Sequence, residues 1–369
     1  MTIVELARSI SKVSTPVDVV AARETVRYEA GDDIERQSFG GQMRSRPAAA
    51  ARAILRQSHY LREKLLTPAF VAEASRHLAR TDVGVVLHSY LVTASVAGLP
   101  DLSRRHLVWS HNDEFAWFED LREATANPLG KRAASVSLHW LHQFLSVHRD
   151  SLTLLHVTEA DQAGWERHVP GHRSAVVPIG VALRGHPAPA LAPGEPVRLL
   201  FSGALSVRMN FDALNHFAER YLPALRARLG DALSVAVVGS SPLPDVEALC
   251  AREGWLLHPN VSEEEMDARF REATFSLLPF PYATGAKLKL LKSLAYGVPA
   301  LCTEAVGAQA DLAVPPSLVA GAPEAWADHV VAVRKRGISD ADRKRLLGVA
   351  RAHSWDASAA RLLEVASTH

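Results

Sequence analysis

Apolar residues switch back and forth between two spacings along this chain, and the switching sets the fold class. Apolar positions three and four apart mark helices, whereas short unbroken apolar runs between turn residues mark buried strands. "TIVELARSISK" predicts a helix and "VDVVAA" a strand after it. Gly31 to Pro47 is polar and rich in glycine and arginine, and it predicts a loop that a ligand could order. Helical patterns run from Ala48 to Leu78, "VGVVLHSY" predicts a strand with His88 near its end, and "HLVWSHN" predicts another. A long charged and aromatic helical region from Glu114 to about Val147 then leads into the buried strands "LTLLHVTEAD" and "SAVVPIGV".

Between Ala182 and Pro196 the chain reads "ALRGHPAPALAPGEP", a linker by its prolines and glycines. A second alternating set follows: "VRLLFSGAL", a helix from Phe211 to Leu229, "LSVAVVG", a helix after Pro242, a short strand near Leu256, the helix Glu263 to Ala273, and "FSLLPF". Further helices run from about Pro323 to Arg334, from about Asp340 to Ala350, and through "SWDASAARLLEVA". Strands alternating with helices of this length predict an α/β protein with parallel sheets covered on both faces. The expected organisation is two doubly wound domains, 1–182 and 198–350, joined by a linker over 183–197 and followed by a separate segment, 351–369. Ligands of such folds bind beyond the C-terminal ends of the strands, which points to a site in the cleft between the domains.

Composition narrows the function classes. A formal charge of +1 on 369 residues, 48% of them apolar, describes an ordinary globular protein and disfavours nucleic acid as a partner. No stretch approaches the ~20 apolar residues of a membrane span and the start lacks a secretory pattern, so the expected location is the cytoplasm. Cys250 and Cys302 have no metal-ligand spacing and are expected as buried thiols.

Chemistry concentrates in "PYATGAKLKLLKSLAYGVPALCTE", Pro281 to Glu304. The turn residues through Thr284 and Gly285 precede a helix that stops at Gly297 and Pro299. A loop of this kind leaves backbone N–H groups at a helix N-terminus, where an anion binds well, and Lys287 and Lys289 stand beside it.

The order of these pieces resembles the retaining glycosyltransferases of the GT-B fold, in the large group 1 class. The resemblance is strongest from Phe201 to Gly307, on "FSGALSVRMNFDALNHFAERYLPAL" and "TGAKLKLLKSLAYGVPALCTE". In the first half it rests on "WSHNDE", "LLHVTEAD" and "VVPIGV", and near the end on "HSWD", whose helix in the family returns to the N-terminal domain. It implies that the anion is the diphosphate of a nucleotide sugar, with Lys289 at the family's loop lysine and Lys287 at a second basic position. Gly203, Gly239, Arg208 and Asn210 fall on the donor side, Asn210 with a helix-capping alternative. His111 matches a histidine near the reacting carbon; Asn112, Glu114 and His88 fall on the acceptor side, with capping or internal hydrogen bonding as the alternatives.

The chain also departs from the pattern. An arginine and a lysine common after the first glycine are Ala204 and Met209 here, and Lys292 stands where the family places a glutamate on the ribose. A carboxylate accepts from both ribose hydroxyls, whereas an ammonium only donates. Family members begin with a strand and a glycine-rich loop, whereas this chain begins at the helix that follows them: either the true start lies upstream, or the first strand is absent and something else covers the sheet, since an uncovered centre or edge would be an association hazard. The implied reaction is sugar transfer to a hydroxyl with retention and without a metal or other cofactor. The acceptor, whether a glycan, a lipid-linked glycan or a small molecule, stays open, as do a homodimer and peripheral membrane contact through the Gly31 to Arg56 segment. The competing readings are a GT-B protein that binds a nucleotide or partner without catalysis, and a nucleotide-sugar epimerase.

Overall fold

In a computed structural model the chain divides into two units, Met1–Gly180 with Trp355–His369, and Val181–Ser354. The structure describes residues 2–13, 16–21, 24–38, 43–80, 82–96, 105–110, 113–183, 187–281, 286–309 and 319–368.

The first unit opens with helix α1 (Thr2–Val13), whose Leu6 and Ala7 are buried. Strands β1 (Val17–Val20), β2 (Glu24–Glu29) and β3 (Asp32–Ser38) form an antiparallel meander, and Val26 and Tyr28 of β2 pack with Ala7. Strand β3 corrects the expectation of a loop from Gly31 to Pro47. Its sequence, DDIERQS, is exposed throughout and has no apolar alternation to read. Pairing with β2 and the ion pairs of Arg36 with Glu24 and Asp33, both 2.7 Å, hold it instead.

Helices α2 (Arg46–Arg56), α3 (Tyr60–Leu65) and α4 (Pro68–Leu78) lead to β4 (Val85–His88) and α5 (Leu91–Ala94). Strands β4, β5 (Arg105–Ser110), β6 (Leu152–His156) and β7 (Ser174–Val176) make a parallel sheet in that order. Only three residues of "SAVVPIGV" pair as strand, before Pro178, which has no N–H for a ladder. The helical region after Glu114 is two elements, α6 (Glu114–Ala124) and α7 (Pro128–Val147). The break has a local cause: Asn127 accepts from Leu129 N (3.0 Å) and Pro128 takes the first helical position, so a new helix starts there. Phe115 and Phe118 of α6, Leu141 and Leu145 of α7 and Trp165 of α8 (Glu159–His168) pack on Val108 and Leu154 of the sheet. The C-terminal helix, Trp355–Thr368, contacts α1.

The second unit is a six-stranded parallel sheet in the order β10-β9-β8-β11-β12-β13. The strands are β8 (Val197–Ser202), β9 (Leu233–Gly239), β10 (Leu256–Pro259), β11 (Phe275–Leu278), β12 (Ala300–Cys302) and β13 (Val319–Ala320). Its helices are α9 (Arg208–His216), continuing through a π-helical turn at Phe217–Tyr221, then α10 (Leu222–Leu229), α11 (Pro244–Glu253), α12 (Glu263–Glu272), α13 (Ala286–Ala295), α14 (Glu304–Gln309), α15 (Pro323–Arg336) and α16 (Asp340–Ala352). The central strands are nearly unbroken apolar runs because helices cover both faces. Phe201, Phe217, Leu290, Leu294 and Trp326 belong to the larger core, and Leu200, Val238, Phe270 and Tyr296 to the smaller. Cys250 and Cys302 are buried free thiols within the larger core.

Candidate functional site

In the second unit, the C-terminal ends of β8 and β9 come together and Lys289 of α13 reaches the end of β8. Strand β8 runs out through Ser202 into Gly203, and neighbouring β9 ends at Gly239. Gly203 N donates to Val238 O (3.1 Å) and Leu205 N to Ser240 O (2.8 Å), which draws the two strand ends together. A Cβ on Gly239 would collide with the carbonyl oxygen of Gly203, so this position requires glycine. Gly239→Ala is expected to cost about 2 kcal/mol or more, read as a lowered urea midpoint at unchanged slope. A midpoint equal to the parent's would show that the two strand ends separate freely.

Helix α13 presents Lys289 because Leu290, Leu291 and Leu294 are buried and fix its rotation. It ends where Gly297 takes φ +67, a conformation that L side chains rarely adopt. Lys289 Nζ donates to Ser202 O (3.2 Å) and lies 5.9 and 5.8 Å from the ring centroids of Phe201 and Phe280. A Cβ on Gly203 would lie 2.7 Å from that Nζ and 3.0 Å from Asn210 Nδ2. Lys289 Nζ and Asn210 Nδ2 therefore close in on the Cα side of Gly203, where any larger residue would have to displace them. Burial, and then the charge of Lys292, push the Lys289 amine down to about 8. An anion beside Lys289 would reverse both effects by supplying the missing opposite charge.

The other donor-side candidates fall out differently. Asn210 is buried in α9; its Nδ2 donates to Ala204 O (2.8 Å), and its Oδ1 has no partner among the described residues. Arg208 is exposed and held by two acids, Asp212 at 3.1 Å and Asp245 at 2.8 Å, with its guanidinium over Phe211. The sequence reading missed those acids because Asp245 is on α11, far along the chain. Lys292 lies over the Phe270 ring, 5.2 Å from its centroid. Thr284 and Gly285 lie outside the described residues, and Lys287 is placed only by its backbone in α13.

In the first unit, His111 and Asn112 also lie outside the described residues. His88 is 5% exposed, and both its ring nitrogens are engaged, with Thr93 Oγ1 (3.2 Å) and His106 Nδ1 (3.1 Å). Burial, then the neighbouring His106, lower it to about 3, so it is neutral at ordinary pH. Glu114 begins α6 one turn before Phe118, on the same buried face. It is 7% exposed, and burial, then the nearby Asp113, push its carboxyl up to about 7. Its Oε2 has no hydrogen-bond partner among the described residues and lies 4.0 Å from Nε2 of His59, which is equally unpartnered. His59 was not a candidate in sequence; nothing local links it to a residue on a distant helix.

Residues 196–335 match the family model described as glycosyl transferases group 1. Over this segment the chain is similar to group 1 glycosyltransferases. The matched segment contains Gly203, Asn210, Gly239 and Lys289, the four residues of the corner just described. No curated protein matches the chain. Among solved structures it is similar to an α,α-trehalose-phosphate synthase (UDP-forming) from Burkholderia xenovorans in complex with glucose-6-phosphate, with TM-score 0.57 and 12% identity over 96% of this chain and 89% of that one. The synthase from Burkholderia multivorans gives TM-score 0.52 and 14% identity, covering 95% and 88%. Anabaena HepE in complex with UDP gives 0.51 and 11%, covering 81% and 82%. At such identities the likeness speaks to the fold, which is GT-B, built from Rossmann-like units.

Proposed function

We propose that this protein transfers a sugar from a nucleotide-diphosphate sugar to an acceptor hydroxyl with retention at the anomeric carbon. The observation that carries the reading is the corner at Gly203, where the Lys289 ammonium and the Asn210 carboxamide N–H group close in on a bare glycine at the strand ends. In this reading the donor diphosphate lies there and along the start of α13, near Gly239, Thr284, Gly285 and Lys287. The leaving group gains negative charge as the bond from the anomeric carbon to the phosphate oxygen breaks, and fixed positive charge stabilises it most at that moment. The freed phosphate oxygen takes the acceptor's hydroxyl proton while the new carbon–oxygen bond forms on the same face. His111 would meet the sugar near the reacting carbon, and Asn112 and Glu114 belong to the acceptor side. Lys289, Lys292 and the helix dipole supply the positive charge, so the scheme assigns no step to a metal or another cofactor. UDP in the HepE structure fits a nucleotide donor, and glucose-6-phosphate in the Burkholderia synthase fits a sugar acceptor.

The test is a panel of UDP-, GDP-, TDP- and ADP-sugars incubated with the protein and candidate hydroxyl acceptors, read by nucleoside diphosphate release and by the anomeric NMR coupling of the product. One donor should be consumed, giving a product with the donor's anomeric configuration. An inverted product would refute retention. Lys292 in place of a ribose-binding glutamate favours one second reading, a protein that binds a nucleotide without turnover. Saturable nucleotide binding without release of diphosphate from any donor would decide for it.

A further inference from the structure

The first unit contains a half-open apolar groove of about 220 Å³ between α2, α3, α6 and α7. Its walls are Ala50, Tyr60, Phe118, Leu121, Leu129 and Ala134. All are on described helices of one unit, and no residue of the donor corner takes part. A dry apolar cavity of ~150 Å³ holds a benzene ring, so this volume suits a single ring with a short chain.

The polar rim is one-sided in charge. Arg46 and Asn127 line the groove, and Arg46 has no ion-pair partner among the described residues. The carboxamide oxygen of Asn127 already caps α7 through Leu129 N (3.0 Å), which leaves its NH₂ as the group to offer a ligand. Arg46 stands in the first turn of α2, which contains no acid and whose N-cap, Ser45, makes no side-chain cap bond. An acid group at the rim would meet a guanidinium, an amide N–H donor and the positive end of a helix dipole together. The surroundings reinforce the preference: within 46–65 the only acid is Glu63, and it is 3% exposed and already within 4 Å of Arg52, Arg56 and Arg62. Helices α2 and α3 are net positive, whereas α6 contains Glu114, Glu119, Asp120 and Glu123 against Arg122 alone, so the preference rests on Arg46 and Asn127 at the rim.

We propose that this groove is a binding site for a small organic acid, an apolar body of about one ring with a short chain ending in a carboxylate, the carboxylate resting on Arg46. The ring lies against Phe118 and Tyr60, with Ala50 and Ala134 also lining the groove. The site does not depend on the transferase reading, because none of its residues belongs to the donor corner.

4-Phenylbutyrate and its uncharged primary amide are the probes, titrated calorimetrically into the full-length protein. The acid should bind saturably and at least ~10-fold tighter than the amide. Arg46→Gln, at an exposed position, should erase that difference while leaving the amide's affinity unchanged. Ala134→Phe fills the groove and should abolish binding of both probes without changing nucleoside diphosphate binding. Absence of saturable binding by the acid, equal binding of acid and amide, or wild-type discrimination in Arg46→Gln would each overturn the proposal.

Discussion

Lys289→Met is expected to reduce sugar transfer by about 10²- to 10³-fold and at the same time to stabilise the ligand-free protein. Both effects come from one feature, a cation buried before its anion arrives. Burial holds the Lys289 amine at about 8, against 10.5 for the free side chain. Below pH 8 the lysine is charged in the folded and unfolded chains alike, and the cost of holding that charge out of water, about 3 kcal/mol, is present in full. Between pH 8 and 10.5 the folded chain has released the proton while the unfolded chain still holds it, so stability rises with pH across that window. Methionine keeps the length and apolar contacts against Phe201 and Phe280 and removes the charge. Denaturant titrations of both proteins at pH 7 and pH 10 would measure this: the variant's advantage should be large at pH 7 and shrink by pH 10. A variant that is less stable at pH 7, or one that retains full transfer, contradicts the role assigned to Lys289.

Glu114→Gln is expected to stabilise the protein at pH 8 by about 3 kcal/mol and to change nothing below the ordinary carboxylate range. The carboxyl is raised by burial to about 7, so the folded chain keeps the proton between 4.5 and 7 while the unfolded chain has lost it. Wild-type stability therefore falls as pH rises across that window, and above pH 7 the folded state contains a buried carboxylate. His59 gives little relief, because burial holds it neutral, at about 3, and its Nε2 is 4.0 Å away. Glutamine has nearly the same shape and no charge to desolvate. Thermal midpoints of the two proteins from pH 4 to pH 8 would check this; parallel curves would show that solvent reaches Glu114.

What could be read from the sequence follows from what the local chain encodes. Strands β8 and β11 and helix α13 were legible because both faces of the sheet are buried and the apolar runs are unbroken. The placement of Gly203 after a strand and of Lys289 in the first turns of a helix was legible because both are local signals. Strand β3 was not, since DDIERQS is held by cross-strand pairs that no periodicity records. The break between α6 and α7 left a trace in the dipeptide Asn127-Pro128, which a long amphipathic pattern overrode. The His88 and His106 pair depends on two adjacent parallel strands in register, and the His59 and Glu114 pair on the packing of α3 against α6. Such pairs exist only once the fold does. The engagement of Arg208 by Asp212 and Asp245 is of the same kind, with one acid a helical turn away and the other on another helix.

The central claim is that the corner at Gly203 and Lys289 receives a nucleoside diphosphate. Calorimetric titration of UDP, GDP, TDP and ADP at pH 8, each in two buffers of different ionisation enthalpy, tests it most directly. One diphosphate should bind with uptake of up to about half a proton, because the anion raises a lysine that is half-neutral at that pH, and Lys289→Met should lose both the affinity and the uptake. Equal binding by the parent and Lys289→Met, or binding by none of the four, would contradict the account.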